Sequence, residues 1–190
     1  MRWEVARALS EEHGLPRSSV FETLYRTETW RDIERGIGDV TAWKARAHAE
    51  LEARAGKPLP PLHERWHRSQ RPIDANLDLV ERLRPPYKVS VLSNADGALR
   101  PRLERELRIH HLFDDIVCSA EVGMAKPEAE IFQLAAARLG LTPEECVFVD
   151  DWDQNVDAAR AVGMTGVCYR TDKGDDLAAL LAAVGVRPRA

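Results

Sequence analysis

The spacing of apolar residues divides the chain into two parts at about residue 70. Up to that point apolar residues recur every three or four positions, which is typical of amphipathic helices. Asp39 is a typical N-cap and Gly56 a typical residue after a helix end, so a helix is predicted between them. Shorter helices are predicted before Gly14, around Val20–Tyr25 and around Leu62–Trp66. Residues 1–70 are therefore expected to form an all-helical subdomain.

The second part, residues 71–190, alternates short apolar runs with helical patterns. The strands are predicted at KVSVLS (88–93), DIVCS (115–119), CVFVDD (146–151) and TGVCYR (165–170). The helices are predicted at 73–83, 99–108, 127–140, 154–163 and 175–185, with Pro127 opening the third of these and Thr142–Glu145 forming a capping box after it. Strands that alternate with helices predict an α/β fold with a parallel, Rossmann-like sheet.

Composition excludes several classes of partner. Hydrophobic residues make up 44% and charged residues 31% of the 190 residues, and the net charge is −4 without a long basic run, so no nucleic-acid partner is expected. No apolar run approaches the ~20 residues that span a bilayer, so no membrane segment is expected. The three cysteines are interpreted as buried free thiols, which favours a cytoplasmic protein.

Polar residues that could carry chemistry follow the predicted strands. Ligands of such sheets bind beyond the carboxyl ends of the strands, so side chains there are expected to meet. The candidates are Ser93 and Asn94 after the first strand, Lys126 before the helix that leads to the third, and Asp150, Asp151, Asn155 and Asp157 after the third. Adjacent carboxylates suit Mg²⁺, a hydroxyl and backbone N–H groups suit phosphate oxygens, and a lysine neutralises charge on a transferring phosphoryl group.

Each candidate also has an ordinary structural explanation. Ser93 and Asn94 alone are typical of a turn or N-cap, Lys126 of a surface lysine, and one of Asp150 and Asp151 could cap the next helix. Their joint occurrence at strand ends favours a phosphoryl-transfer site.

Three segments resemble motifs II, III and IV of the haloacid dehalogenase-like (HAD) superfamily. They are VSVLSNAD (89–96), GMAKPEAEIF (123–132) and VFVDDWDQNVDAA (147–159). A fourth segment, ERGIGDVTAWKARAHAEL (34–51), resembles the helical cap of subfamily I, close to the phosphatase-like domain of epoxide hydrolases. The resemblance covers nearly the whole chain, with residues 1–70 as the cap and 71–190 as the core.

The resemblance implies a role for each candidate. Ser93 would bind the substrate phosphate with help from the Asn94 backbone, and Lys126 would pair with the nucleophile and the phosphate. Asp151 would ligate Mg²⁺, with Asp150 in or next to the metal shell, and Asn155 would orient the lysine or the acidic cluster. The reaction implied is hydrolysis of a small phosphate monoester through an aspartyl-phosphate.

One motif of the family has no counterpart in the sequence. Motif I is an apolar strand that ends in Asp-x-Asp and supplies the nucleophile, and the only such spacing here, Asp151-x-Asp153, belongs to motif IV. In the family this strand lies between the strands of motifs II and IV. Its removal would leave two edges whose unpaired backbone groups cost on the order of 1–3 kcal/mol each when buried. We expect a reading frame that starts upstream or a truncated product, and less readily a non-catalytic remnant in which the flanking strands pair directly.

Several alternatives stay open. A haloacid dehalogenase is disfavoured by the Asp150–Asp151 pair, and a receiver-like domain by the late position of that pair in the chain. A non-catalytic protein that binds phosphate or metal is supported by the missing nucleophile. An exposed sheet edge would favour a homodimer. In the cap, Trp30, Trp43, His63, Trp66 and His67 are candidates to face a substrate, although core packing is expected for each Trp and exposure for each His.

Overall fold

The computed structural model describes residues 3–189. Contacts between residues divide the chain into two compact units, and the division nearly follows the change in pattern at residue 70. Unit 1 consists of Met1–Ile33 and Ile37–Arg71, and unit 2 of Glu34–Gly36 and Pro72–Ala190. The short segment Glu34–Gly36 therefore packs with unit 2, although its neighbours on both sides pack in unit 1.

Unit 1 is helical, as predicted. Its helices are α1 (Trp3–Glu12), α2 (Ser19–Tyr25), α3 (Glu28–Ile33), α4 (Val40–Ala55) and α5 (Leu62–Ser69). The predicted ends of α4 are confirmed: the Asp39 carboxylate accepts hydrogen bonds from the backbone N–H groups of the first turn, and Gly56 has a left-handed conformation with φ 65°. Helix α3 was not predicted.

Aromatic rings fill the core of unit 1. The ring of Tyr25 lies 4.6 Å from that of Trp30 and 5.3 Å from that of Trp66, measured between centroids. Trp43 is also buried, so the packing role predicted for these tryptophans is confirmed. The prediction of exposed histidines is wrong for His63 in α5, whose side chain is only 14% exposed, whereas His67 is exposed as predicted.

Unit 2 contains every strand that the sequence predicts. Its elements are α6 (Asp74–Leu83), β1 (Ser90–Ser93), α7 (Leu99–Pro101) continued by a π-helical turn (Arg102–Glu106), β2 (Asp115–Cys118), α8 (Ser119–Val122), α9 (Ala129–Arg138), β3 (Val147–Asp150), α10 (Asp153–Ala161), β4 (Thr165–Cys168) and α11 (Leu177–Ala183). Short 3₁₀ turns lie at His110–Leu112, Pro143–Glu145 and Thr171–Lys173. The predicted α/β fold is confirmed.

The four strands form two parallel pairs and not one continuous sheet. Strand β1 pairs with β2, and β3 pairs with β4. Between described residues β1 does not pair with β3, so the less favoured alternative, in which these two flanking strands pair directly, is wrong. All four residues of β1 are only half-buried, and water can therefore reach groups of a strand that a continuous sheet would bury.

Two local predictions need correction. The helix predicted from Pro127 begins at Ala129, because residues 125–128 form a turn in which the Glu128 N–H donates to the Ala125 carbonyl at 2.9 Å. The Thr142–Glu145 capping box is confirmed. All three cysteines are free thiols as predicted, but only Cys118 is fully buried, whereas the other two are half-buried.

Within residues 3–189 no helix has the length and hydrophobicity needed to cross a bilayer.

Candidate active site

Lys126 lies at the centre of the predicted site, where the ends of β1 and β3 meet. Its Nζ donates to the carbonyl of Leu92 in β1 at 3.0 Å and to Oδ2 of Asp150 at the end of β3 at 2.6 Å. The lysine and aspartate side chains are 9% and 8% exposed. The interpretation of Lys126 as a surface lysine is therefore wrong, since the side chain bridges the two strand pairs.

The side chain of Asn94 fixes the backbone of Lys126. Its Oδ1 accepts from the Lys126 N–H at 2.8 Å, and its Nδ2 donates to the Lys126 carbonyl at 2.9 Å. The ammonium group also lies 5.4 Å from the centre of the Phe148 ring. Lys126 is thus held at its backbone and at its charged end, which is the arrangement that a preorganised cation requires.

Both carboxylate oxygens of Asp150 accept hydrogen bonds from the protein. In addition to the lysine at Oδ2, its Oδ1 accepts from the Trp152 N–H at 2.9 Å and from Nδ2 of Asn155 at 3.1 Å. Asn155 therefore contacts the acidic cluster and not the lysine. Both oxygens of Asp150 are occupied, so its carboxylate positions Lys126 and the turn after β3.

The donors present fit a magnesium ion that is held mainly through one carboxylate. The described residues contain no cluster of three or more His, Cys, Asp or Glu side chains of the kind that encloses a metal. Mg²⁺ keeps several waters and usually takes one or two protein carboxylates besides substrate phosphate oxygens. Asp151, half-buried directly after β3, is the second carboxylate at this strand end and could serve as that ligand.

Ser93 ends β1, beside the residue whose carbonyl binds Lys126. Its side-chain hydroxyl forms no hydrogen bond to any other residue in the described part of the chain, and the residue is half-buried. The loop that follows is tied down by Ser119, whose Oγ accepts from the Ala95 N–H at 3.0 Å. A rigid loop with an uncommitted hydroxyl at the lysine is chemically suited to a phosphate oxygen.

Asp157 does not join this group. Its carboxylate pairs with Arg160 one turn along α10, at 3.0 Å, and its side chain is 70% exposed. Of the predicted residues, the structure brings Ser93, Asn94, Lys126, Asp150, Asp151 and Asn155 to one end of the strands.

The sequence reasoning missed Glu34. This buried residue belongs to Glu34–Gly36, and its Oε2 accepts from Nδ2 of Asn94 at 3.2 Å. Both hydrogens of the Asn94 amide are therefore used, one on Glu34 and one on Lys126. The only available signal was an acidic residue just before two glycines in a helical region, and that signal does not specify a contact 60 residues away.

The fold and this arrangement define a class of protein. The family model for haloacid dehalogenase-like hydrolases matches residues 73–163. Together with the parallel strands and the lysine–aspartate centre, this match over just under half of the chain supports membership of the HAD-like superfamily.

Several curated relatives are named as phosphatases. The chain is 44% identical over 72 residues to a glyceraldehyde 3-phosphate phosphatase of Methanopyrus kandleri, covering 37% of the chain and 31% of that protein. It is 33% identical over 94 residues to the fructose-1-phosphate phosphatase YqaB of Escherichia coli, covering 50% of each. The aligned regions thus span a third to a half of the length of these relatives.

A solved structure with the same fold is a HAD family enzyme of Bacteroides thetaiotaomicron in complex with magnesium and inorganic phosphate. The TM-score is 0.64 at 22% identity, and the match covers 94% of this chain and 88% of that one. At this identity the likeness establishes the fold alone.

Proposed function

We propose that the chain carries the phosphate-binding and metal-binding part of a magnesium-dependent phosphatase that acts on a small phosphate monoester. The observation that supports this most directly is the buried contact of Lys126 with both Leu92 and Asp150. It gathers a cation, a hydroxyl and an acidic pair at one point, which is the set that phosphoryl transfer needs. The phosphatase activity of the relatives supports the same reaction class.

Each residue has a proposed task. The Ser93 hydroxyl and the Asn94 backbone bind phosphate oxygens, and the Lys126 ammonium group offsets their negative charge. Asp151 would hold Mg²⁺, which would stabilise the charge that develops on the phosphoryl group. Asp150 and Asn155 position the lysine and the turn after β3 through the hydrogen bonds described above. Asn94 positions Lys126 from the backbone side.

The nucleophile is proposed to be an aspartate on a further β-strand. These 190 residues contain no apolar strand that ends in Asp-x-Asp. Strands β1 and β3 each pair on one side only among the described residues, and Lys126 connects their ends. A strand that pairs with both would place its final aspartate beside the lysine. The aspartyl-phosphate mechanism rests on that strand.

The test is an assay of p-nitrophenyl phosphate hydrolysis with and without Mg²⁺. The chain is assayed alone and with an apolar strand ending in Asp-x-Asp fused ahead of it, and the matched control carries Asn for the first Asp of the added strand. We expect metal-dependent turnover only in the fusion with intact Asp-x-Asp. Turnover by the chain alone would show that the nucleophile lies elsewhere.

Two substitutions in the active fusion test the site. Lys126→Ala and Asp151→Asn are each expected to lower kcat by about 100-fold or more, because each removes charge stabilisation of the transition state. Asp157→Asn is the control, since Asp157 is exposed and pairs only with Arg160 in the same helix. Equal effects of Asp151→Asn and Asp157→Asn would remove Asp151 from the proposed metal site.

A non-catalytic role is the second candidate, and the missing Asp-x-Asp favours it. Saturable binding of inorganic phosphate with Mg²⁺ but without turnover in any form would support that role, and halide release from a 2-haloacid would instead support a dehalogenase.

We further propose that the protein works in the reducing cytoplasm, where its three free thiols would persist. Self-association through a strand edge into a homodimer would appear in sedimentation analysis.

A further inference from the structure

Unit 1 contains a pocket that is lined by none of the residues of the proposed phosphatase site. It has a volume of about 250 Å³ and is formed between α2, α4 and α5. Leu24, Tyr25 and Trp43 contribute its apolar surface, and Leu24 and Trp43 are only 2% and 5% exposed. Pockets for drug-sized ligands typically have about 300–1,000 Å³, so this one suits a ligand of about one ring.

The rim of the pocket is predominantly basic. Lys44, His63, His67 and Arg68 line it, and Glu64 is the one acidic residue among the lining side chains. Neither Lys44 nor Arg68 forms an ion pair with another residue in the range 3–189. Glu64 is 56% exposed and lies 3.9 Å from Nε2 of His63, so its charge is largely screened by water.

His63, which lines this pocket, has an unmet hydrogen-bonding group. Its Nδ1 is buried and has no hydrogen-bond partner among the described residues, although its side chain is only 14% exposed. A buried polar atom without a partner is costly and is usually met by water or a ligand. The Trp43 indole is not the partner of this atom, because its Nε1 donates to the Leu24 carbonyl at 2.9 Å.

We propose that this pocket binds a small organic anion with a flat apolar part, the apolar part lying against Tyr25 and the anionic group facing Lys44, His63 and Arg68. Two independent features favour such a ligand: an apolar wall for the ring and two cations, Lys44 and Arg68, without an ion pair among the described residues. The site lies wholly within unit 1 and does not depend on the proposed phosphatase function.

The protonation of the His63 ring provides a second measurement that tests the proposal. Burial, and then the positive charges of Lys44, His48 and His67, lower the pKa of His63, whereas Glu64 acts in the opposite direction. The ring is therefore neutral at pH 7. An anion bound beside it would favour the protonated ring, so binding should raise this pKa and should be tighter at pH 5.5 than at pH 8.

Benzenesulfonate is a suitable probe, because its charge does not change between pH 5 and 8. It is titrated into the full chain while the histidine ring protons are followed by NMR, with His63→Ala identifying the His63 signal. Benzyl alcohol supplies the ring without charge and sulfate supplies the charge without a ring. We expect saturable binding of benzenesulfonate and at least about tenfold weaker binding of either control.

Substitutions test whether binding depends on the pocket or on the positive charge of the protein surface in general. Lys44→Ala should weaken binding by about fivefold to tenfold, as loss of one charge-assisted contact does. Lys57→Ala is the matched control, because Lys57 is an exposed lysine of the same unit outside the pocket, and it should leave binding unchanged. Lys126→Met should also leave it unchanged, which distinguishes this site from the phosphatase site. Equal weakening by Lys44→Ala and Lys57→Ala, or no saturable shift of His63, would overturn the proposal.

Discussion

Replacing Lys126 by methionine would leave the Asp150 carboxylate buried without its cation. Oδ1 would keep its donors, Trp152 N–H and Asn155 Nδ2, but Oδ2 would lose the bond of 2.6 Å. Removing one partner of a buried ion pair costs about 3–5 kcal/mol. Because two donors remain, we expect a loss of about 3 kcal/mol in the free energy of unfolding, equivalent to about 6–12 °C in Tm for a chain of this length.

A double-mutant cycle measures the contact itself. The cycle comprises Lys126→Met, Asp150→Asn and the double variant, each unfolded in urea and followed by circular dichroism. The double variant has neither charge, so we expect its loss to be smaller than the sum of the single losses by about 2 kcal/mol. Hydrogen exchange should localise the effect of Lys126→Met to the segments of β1 and β3.

An exposed ion pair of the same unit is the control. Arg160 and Asp157 lie 3.0 Å apart with side chains 54% and 70% exposed, so Asp157→Asn, which leaves the Arg160 bond to the Gly166 carbonyl in place, should cost about 1 kcal/mol or less. If Lys126→Met cost no more than Asp157→Asn, or if the losses of the cycle simply added, the lysine would not be the buried bridge between the strand pairs.

One substitution, at Gly36, and one cysteine-labelling reaction test the packing of unit 2. Gly36→Ala should destabilise the protein by about 2–3 kcal/mol in urea unfolding, since a Cβ would lie 2.3 Å from the Ala120 carbonyl oxygen and φ is 76°. The control Gly56→Ala, with φ 65° and no atom within 4 Å, should cost only about 1 kcal/mol, and equal losses would argue against the Gly36 contact. Burial raises the pKa of all three thiols, and Cys118 alone among them is fully buried. Iodoacetamide at pH 8 should therefore label Cys118 only on unfolding, whereas mass spectrometry should find the half-buried Cys146 and Cys168 labelled earlier.

Local features were predicted correctly because neighbours in the chain determine them. The cap of α4 at Asp39 needs only the side chain and the next three residues, and the same holds for the Thr142–Glu145 box. The residues at the strand ends were also found from sequence, because in a parallel fold the carboxyl ends of the strands lie on one side.

Features that depend on distant partners could not be predicted. The burial of Lys126 depends on a carbonyl 34 residues before it and a carboxylate 24 residues after it. Lysine alone is typical of a surface, and Glu34 in a helical region gives no indication of a contact with Asn94. The division into two strand pairs likewise depends on which edges meet, and hydrophobic pattern specifies a strand but not its neighbours.

The cost of burying Lys126 argues that the site is there for function and not for stability. A buried ion pair seldom stabilises a fold more than well-packed apolar residues of the same size would. The site also uses the side-chain amide of Asn94, which donates one hydrogen bond to the Lys126 carbonyl and one to Glu34. Apolar side chains could join β1 to β3 without any of these polar groups. They could not present a fixed cation next to an uncommitted hydroxyl and a second carboxylate, which is what binding a phosphate ester requires.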